Sequence, residues 1–379
     1  MKLPTTCVHA GGEPDAATGA VTVPIYATST YAYAGFGEHR GWEYSRTGNP
    51  TRAALERAVA ELEGGADACA FASGMAAIDA VTDLLAAGDH VVAADNLYGG
   101  SYRLFTTITA SHGIEVTFVD ASDAAAIAAA CRPRTRLVFV ETPTNPLMRL
   151  VDLPAAARVA RDRGASLAVD NTFLSPVLQR PFEFGADLVV HSTTKYLNGH
   201  SDAVGGVAVA RDADLARRLR TVQNSAGAIM GPFDAYLVLR GIRTLAVRMA
   251  AHEANGRRLA AFLATHDAVE RVHYPGLEDH PQHALARHQQ GGFGGMISLD
   301  LGSLERARAF CAGLKLFTLA ESLGGVESLV CHPATMTHAS VPAEERRRLG
   351  IGDGMVRLSV GIEDGADLES DLAQALARL

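Results

Sequence analysis

Cysteine is sparse in this 379-residue chain, and its five cysteines are scattered without any Cys-x-x-Cys spacing. An odd number of widely spaced thiols predicts free cysteines in a reducing cytoplasm rather than a disulfide framework. The chain also lacks an apolar run of about 18 residues, the length that a membrane-spanning helix requires. Its first residues, Met1–Cys7, contain no apolar segment of a signal peptide. These absences predict a cytoplasmic protein without a membrane partner.

Long blocks of like charge are absent as well. The longest is Arg346–Arg348, and the formal net charge is −8, so a nucleic-acid partner is not expected. Among the fourteen histidines, the pairs His280/His283 and His332/His338 lack carboxylate or cysteine partners at ligand spacing, and no metal site is predicted. His191 and His200 are interpreted as structural residues.

Strands and helices alternate over residues 50–210, which predicts an α/β fold with a mostly parallel sheet. No Gly-x-Gly-x-x-Gly follows the first predicted strand, which argues against a nicotinamide-dependent dehydrogenase. After Gly231–Pro232, a long helical region precedes the mixed strands and helices of a smaller α+β domain. The predicted division is residues 1–46 as an irregular N-terminal segment, 47–250 as the α/β domain, and 251–379 as the C-terminal α+β domain.

Two polar residues follow short β-branched runs that are predicted to be buried strands. Asp170 follows Leu167–Val169, and Lys195 follows Leu188–Val190 within one short motif. Desolvation of a lone lysine lowers its pKa and frees the amine, which suits a Schiff base. A fixed aspartate suits the pyridinium nitrogen of pyridoxal 5′-phosphate (PLP). The pair therefore predicts a PLP site.

Other polar segments also fall at or just after predicted strand ends. Ligands of an open α/β sheet bind outside the carboxyl ends of its strands, so these segments are expected around one crevice with Asp170. Free N–H groups at the start of a helix after Ser73 fit a phosphate. The alternating Ser192 and Thr194 are predicted to face the same phosphate. The segments are Ser73–Gly74, Tyr98–Gly100, Thr142–Pro146 and Ser192–Lys195.

The segments Ser166–Phe173 and His191–Asp202 resemble those of the Cys/Met-metabolism family of PLP enzymes, which includes the cystathionine γ-lyases and γ-synthases. The resemblance extends over nearly the whole chain. It implies PLP-dependent fold type I (aspartate aminotransferase-like), with PLP as the cofactor and sulfur amino acids as substrates. It also implies a homotetramer built as a dimer of dimers, in which residues 1–46 form an arm that contributes to the neighbouring subunit.

The resemblance gives roles to individual residues. It places Tyr98 over the cofactor ring, and Arg357 with Ser322 at the substrate carboxylate. Asn145 is assigned to the cofactor's phenolic oxygen or to the substrate carboxylate, and either Tyr98 or Lys195 protonates the leaving group. The implied catalytic residues are Lys195, Tyr98 and Asp170. The implied cofactor-binding residues are Lys195, Ser73, Gly74, Met75, Tyr98, Asp170, Ser192, Thr194, Tyr44 and Arg46, and the implied substrate-binding residues are Arg357, Asn145, Ser322, Glu321, Glu43 and Arg103.

Several positions bear on which reaction the family resemblance implies. Methionine γ-lyases usually carry a cysteine where this chain has Gly100, whereas Glu43 and Glu321 match family members that act on cystathionine. The sequences of residues 223–234 and 337–342 look more like those of lyases, and the sequence of residues 98–105 looks more like that of bacterial synthases. The prediction is a cystathionine γ-lyase, which forms L-cysteine, 2-oxobutanoate and ammonia from L-cystathionine. The alternatives are a γ-synthase that joins an O-acyl-L-homoserine and L-cysteine, or a related methionine or homocysteine γ-lyase.

Lyase and synthase share a β,γ-unsaturated intermediate, so both activities are chemically close. A difference of about 1.4 kcal/mol between two barriers changes the partition tenfold. Dual activity is therefore compatible with the sequence. A non-catalytic binding protein of the same fold is disfavoured, because Lys195, Asp170, Arg357 and Tyr98 occur together.

Overall fold

The computed structural model describes residues 1–379 and contains two β-sheets, each with its own apolar core. The strands are β1 (Asp67–Phe71), β2 (His90–Ala94), β3 (Glu115–Val119), β4 (Thr135–Glu141), β5 (Ser166–Asp170), β6 (Leu188–Ser192), β7 (Gly206–Ala210), β8 (Arg271–His273), β9 (Met296–Asp300), β10 (Thr318–Leu319), β11 (Leu329–Cys331) and β12 (Met355–Ser359). The helices are α1 (Leu3–His9), α2 (Pro50–Glu63), α3 (Gly74–Thr82), α4 (Gly99–Leu104), α5 (Ala124–Ala130), α6 (Leu153–Asp162), α7 (Ser175–Leu178), α8 (Ala213–Ala226), α9 (Pro232–Ile242), α10 (Leu245–Ala264), α11 (His283–Gln289), α12 (Leu304–Gly313), α13 (Ala343–Leu349) and α14 (Gly365–Leu376). None of the helices is long and apolar enough to cross a membrane.

The larger sheet has seven strands in the order β1-β7-β6-β5-β4-β2-β3. Strand β7 runs antiparallel to both of its neighbours, and the remaining pairs are parallel. Strands β2 and β7 are buried at every position, as expected for a sheet whose two faces are both covered. The predicted α/β fold with a mostly parallel sheet is confirmed.

Strands β4, β5 and β6 end side by side at one edge of this sheet. Glu141, the last residue of β4, pairs in register with Asp170, the last residue of β5, and Asp170 pairs with Val190 of β6. Because the three strands are parallel, the loops that follow them emerge on the same side.

Helix α2 packs against β1 and β7, and its local sequence defines both of its ends. The Asn49 side chain accepts hydrogen bonds from the Thr51 and Arg52 N–H groups, and Pro50 occupies the first helical position. The helix ends at Gly64, which adopts a left-handed conformation with φ 80°.

The smaller sheet has five strands in the order β10-β11-β12-β9-β8, with β12 antiparallel to β11 and β9. Helix α10 connects the two cores, because Leu245 and Met249 belong to the first and Leu259 and Leu263 to the second. The domain boundary that we placed near residue 250 falls inside this helix.

Five helices were not predicted from the sequence: α1, α7, α8, α11 and α13. Helix α8 has only Ala216, Leu219 and Gln223 as buried positions, so its apolar period is weak. Helix α1 packs against α2 and α10 of its own chain and buries Cys7. The start of the expected N-terminal arm therefore lies on its own subunit.

Candidate active site

A cavity of about 300 Å³ opens at the carboxyl ends of the central strands. The four polar segments that follow predicted strands contribute to its wall together with Asp170, and the small domain closes it from the opposite side. The predicted site residues that line it are Ser73, Gly74, Met75, Tyr98, Asn145, Asp170, Ser192, Thr194, Lys195, Glu321, Ser322 and Arg357.

Lys195 lies in the turn after β6 rather than within a strand. Its Nζ atom donates a hydrogen bond of 2.8 Å to the Ser322 hydroxyl of the small domain. Burial, together with the nearby Arg357 guanidinium, lowers the pKa of the Lys195 ammonium to about 8. A minor fraction of this side chain is therefore a neutral amine at pH 7, and this is the form that reacts with a carbonyl group.

Asp170 presents one free carboxylate oxygen to the cavity. Its Oδ1 atom accepts hydrogen bonds from the Thr172 N–H group at 3.0 Å and from the Thr172 hydroxyl at 2.6 Å, whereas Oδ2 has no hydrogen bond. Burial raises the pKa of Asp170, and the two Thr172 hydrogen bonds oppose this effect. A buried carboxylate with a free oxygen is suited to a cationic ring nitrogen.

The start of helix α3 forms a cradle for an anion. The first N–H groups of a helix have no acceptor within the helix, and here they belong to Gly74 and Met75 beside Ser192 and Thr194. A Cβ atom on Gly74 would lie 2.9 Å from the Ser192 Cβ atom, so only glycine allows this close approach. The cradle has the donors that a phosphate group requires.

Arg357, on β12, is a buried cation without an anionic partner. It is 2% exposed, and its Nη1 atom donates to Asn145 Oδ1 at 2.8 Å while Nη2 donates to the Ser322 carbonyl at 3.0 Å. Its Nε atom has no hydrogen-bond partner, and it forms no salt bridge. Because a buried charge is costly unless it is paired, this guanidinium is suited to an anionic group.

The Tyr98 ring lies against Gly100 at the cavity wall and is 39% exposed. A Cβ atom on Gly100 would lie 2.4 Å from Tyr98 Cε1 and 2.9 Å from Met75 Sδ. A cysteine at position 100 would therefore displace the ring.

Glu141 is a site residue whose role sequence reasoning missed. Its Oε2 atom accepts a hydrogen bond of 2.9 Å from the Tyr98 N–H group, and it lines the cavity beside Asp170. Burial and the Asp170 charge raise its pKa well above the usual value. The available signal was its position at the end of an apolar run, directly before the Thr142–Pro146 segment. Thr172, Phe173 and Thr337 also line the cavity and were not predicted.

Four predicted residues do not line the cavity of their own chain. Glu43 lies 3.2 Å from the His39 ring, and Arg46 Nη1 donates to Asn224 Oδ1 at 3.1 Å. Tyr44 is half-exposed beneath the Arg46 guanidinium. Arg103 is exposed on helix α4, so within one chain the structure does not bring it to the substrate position that we predicted.

A lysine amine, a free carboxylate oxygen and an anion cradle in one cavity fit PLP. A family model described as "Cys/Met metabolism PLP-dependent enzyme" matches residues 4–377. The chain belongs to this family.

Its relatives have several activities. A cystathionine γ-lyase of Bacillus subtilis is 54% identical over 379 residues, covering 100% of both chains. A cystathionine β-lyase of Coxiella burnetii is 52% identical over 377 residues, covering 99% of this chain and 97% of the relative. The crystal structure of a cystathionine γ-synthase from Xanthomonas oryzae matches with a TM-score of 0.98 at 49% identity, covering 100% of this chain and 98% of that one.

This member of the family is therefore a PLP-dependent trans-sulfuration enzyme of PLP fold type I. The similarity to γ-lyase, β-lyase and γ-synthase is nearly equal, so family membership does not select among their reactions.

Proposed function

We propose that this enzyme is a cystathionine γ-lyase, which converts L-cystathionine and water into L-cysteine, 2-oxobutanoate and ammonia. One observation carries the proposal: the cavity holds two charged side chains of opposite sign, neither of which has an ionic partner. Arg357 is the buried cation, and Glu321 lines the same cavity with no hydrogen bond or salt bridge to its carboxylate.

L-cystathionine is an amino acid at both ends, so it matches this charge pattern. Its reacting end offers an α-carboxylate to Arg357, and its distal end offers an ammonium to Glu321. Asn145 and Ser322 hold the guanidinium in place through the hydrogen bonds described above. A substrate with a single charged end would leave Glu321 unused.

When bound, PLP supplies an electron sink for the pair of electrons left at the substrate Cα atom. In the proposed arrangement Lys195 carries the cofactor, Asp170 holds the proton of its ring nitrogen in place, and the α3 cradle binds its phosphate. Once the substrate amine has displaced it from the cofactor, the freed Lys195 amine would remove the Cα proton, a role that its lowered pKa favours. The Tyr98 ring covers the cofactor, and Tyr98 or Lys195 donates the proton to the leaving sulfur.

A cystathionine γ-synthase is the second candidate. It is favoured by the sequence Tyr98–Phe105, which looks like that of bacterial synthases, and by the nearly complete structural match to the Xanthomonas oryzae γ-synthase. The two reactions use the same cavity and differ in whether a thiol enters before the product leaves.

A paired assay on one preparation of the holoenzyme tests the proposal. One tube contains L-cystathionine alone, and the other contains an O-acyl-L-homoserine with L-cysteine. A γ-lyase releases cysteine and 2-oxobutanoate in the first tube. Accumulation of cystathionine in the second tube with little turnover in the first would make the enzyme a γ-synthase, and release of homocysteine and pyruvate would make it a β-lyase.

We further propose that the active unit is at least a dimer, and by family likeness a tetramer, in which Tyr44 and Arg46 reach the phosphate in a neighbouring chain and Glu43 the distal ammonium. The side chains of Phe36 and Phe233 are large, apolar and exposed in the single chain, as at an uncovered subunit interface. We also propose a cytoplasmic location, because all five cysteines are free.

A further inference from the structure

Glu63 joins the ends of two strands that carry cavity residues. Its Oε1 atom pairs with His191 Nε2 at 2.6 Å and accepts a hydrogen bond of 3.0 Å from Asn171 Nδ2. His191 immediately precedes Ser192 at the end of β6, and Asn171 immediately follows the last residue of β5. One carboxylate therefore links the backbone beside the cofactor-site aspartate to the backbone that leads to the reactive lysine.

This pair is fully inside the protein. Glu63 is 0% exposed, His191 is 1% exposed, and Glu63 forms no salt bridge with an arginine or a lysine. The Glu63 Oε2 and His191 Nδ1 atoms have no hydrogen-bond partner at all. Buried ion pairs that are incompletely satisfied add little stability, and apolar replacements are often neutral or stabilising. Stability alone is therefore a poor explanation for the pair.

The hydrogen bonds continue from Asn171 to a third strand end. Gln179 Nε2 donates to Asn171 Oδ1 at 3.0 Å and to the Thr142 carbonyl at 3.0 Å. Thr142 follows directly after β4 and begins the loop that holds Asn145. Hydrogen bonds through Glu63, Asn171 and Gln179 thus connect the ends of β4, β5 and β6, from which the cavity loops emerge.

A second contact holds the same strands on the cavity side. The Thr172 hydroxyl donates to Asp170 Oδ1 at 2.6 Å and accepts from the Ser192 N–H group at 2.9 Å. The orientation of Asp170 therefore depends on the spacing between the ends of β5 and β6. Glu63 bridges the same two strand ends through His191 and Asn171. The charge of His191 also lowers the pKa of Asp170 against the effect of burial.

We propose that Glu63 and His191 are positioning residues for the reaction: without touching cofactor or substrate, they hold Asp170 and Lys195 in the orientation that PLP requires. Our reading of His191 as a structural residue is thereby extended to a role in the reaction. The inference rests on the proposed pairing of Asp170 with the cofactor ring nitrogen. It does not depend on the choice between lyase and synthase.

The test compares three holoenzyme variants by the removal of the substrate Cα proton, a step that every candidate reaction shares. The variants are Glu63→Gln, the double variant Glu63→Leu/His191→Leu, and Asp170→Asn as a reference. The rate of exchange of the substrate Cα proton with deuterated water reports Lys195 and Asp170 directly, and the visible absorbance reports the bound cofactor. Thermal melting reports folding. The double variant leaves no unpaired buried charge, so it is the one expected to keep its stability.

Glu56→Gln is the matched control. Glu56 lies on the same helix, is 2% exposed, and pairs with Arg220 at 2.6 Å. Its Oε1 atom accepts a hydrogen bond from the Ala70 N–H group of β1, but it contacts neither β5 nor β6, whose ends lead to Asp170 and Lys195. This variant is expected to melt at a lower temperature and to exchange the Cα proton at the wild-type rate.

The proposal predicts that the exchange is at least about tenfold slower in Glu63→Gln and in the double variant. Losses of this size are typical when the hydrogen-bond partners of metal ligands are removed, and we expect a similar loss here. The proposal also predicts an altered visible absorbance and a KM within about twofold of wild type. The proposal would be overturned if the folded variants exchanged the Cα proton at the wild-type rate and kept the wild-type absorbance. It would also be overturned if the double variant did not fold, because the pair would then serve folding alone. If Asp170→Asn itself leaves absorbance and exchange unchanged, the proposed role of Asp170 is wrong and the inference fails with it.

Discussion

The Lys195 ammonium donates a 2.8 Å hydrogen bond to the Ser322 hydroxyl, across the boundary between the two domains. The Ser322 carbonyl also accepts a hydrogen bond from Arg357. One residue of the small domain therefore contacts both the proposed base and the proposed carboxylate-binding group. A substrate carboxylate that binds Arg357 arrives directly beside the amine that acts on it.

The first prediction concerns the pH dependence of cofactor uptake. Burial lowers the pKa of the Lys195 ammonium to about 8, so the neutral amine becomes the main form above that pH. We expect the rate at which the apoenzyme takes up PLP to rise with pH with a midpoint near 8. Stopped-flow absorbance measures this rate. A midpoint above pH 10, as for an exposed lysine, would contradict the account.

Replacement of Arg357 tests the carboxylate site. Arg357→Met removes the only buried cation at the substrate position, and truncating such a partner costs about 3 kcal/mol, or roughly 100-fold in KM. Arg357→Lys is expected to recover only part of this loss, because an ammonium does not reproduce the bidentate contact. Steady-state kinetics measure both variants, with the exposed Arg347→Met as control. An unchanged KM in Arg357→Met would exclude the proposed role.

Replacement of Glu321 is expected to change the KM for L-cystathionine but not the KM for a substrate that lacks a second ammonium group. Glu321→Gln removes the anion proposed for the distal ammonium, and because Glu321 is exposed the loss is at most about fivefold in KM for L-cystathionine. The KM for O-acetyl-L-homoserine, which has no second ammonium, is expected to stay unchanged. Glu344→Gln, also exposed, is the control. Equal changes for both substrates would argue against a distal contact.

A complementation experiment tests the proposed shared site. Arg46→Ala is expected to weaken PLP retention, and Lys195→Ala to abolish turnover. If Arg46 serves the neighbouring chain, mixed dimers of the two variants contain one intact site. Random mixing then restores at most about a quarter of wild-type activity, because a two-fold dimer has two equivalent sites. No recovery in mixed dimers that sedimentation shows to have formed would refute the shared site.

The sequence was most informative where the residues of a single strand or helix are enough to identify it. The buried runs before Asp170 and Lys195 are apolar throughout, so the strands and the polar residues after them could be located without tertiary information. The convergence of these residues followed from a general property of parallel sheets.

Residues whose role depends on distant contacts were not predictable in this way. Glu63 ends an ordinary amphipathic helix, and only the fold brings it to His191, 128 positions away. Glu141 acquires its neighbours through strand register. The exposure of Arg103 depends on how helix α4 packs, which the local sequence does not specify.

Identification of the lysine that carries PLP tests the central claim most directly. The lysines of this chain are Lys2, Lys195 and Lys315. Borohydride reduction of the holoenzyme, followed by digestion and mass spectrometry, reveals which lysine has gained the mass of the reduced cofactor. Our account predicts modification at Lys195 and loss of the visible absorbance in Lys195→Ala but not in Lys315→Ala. Cofactor on Lys2 or Lys315, or absorbance retained in Lys195→Ala, would contradict it.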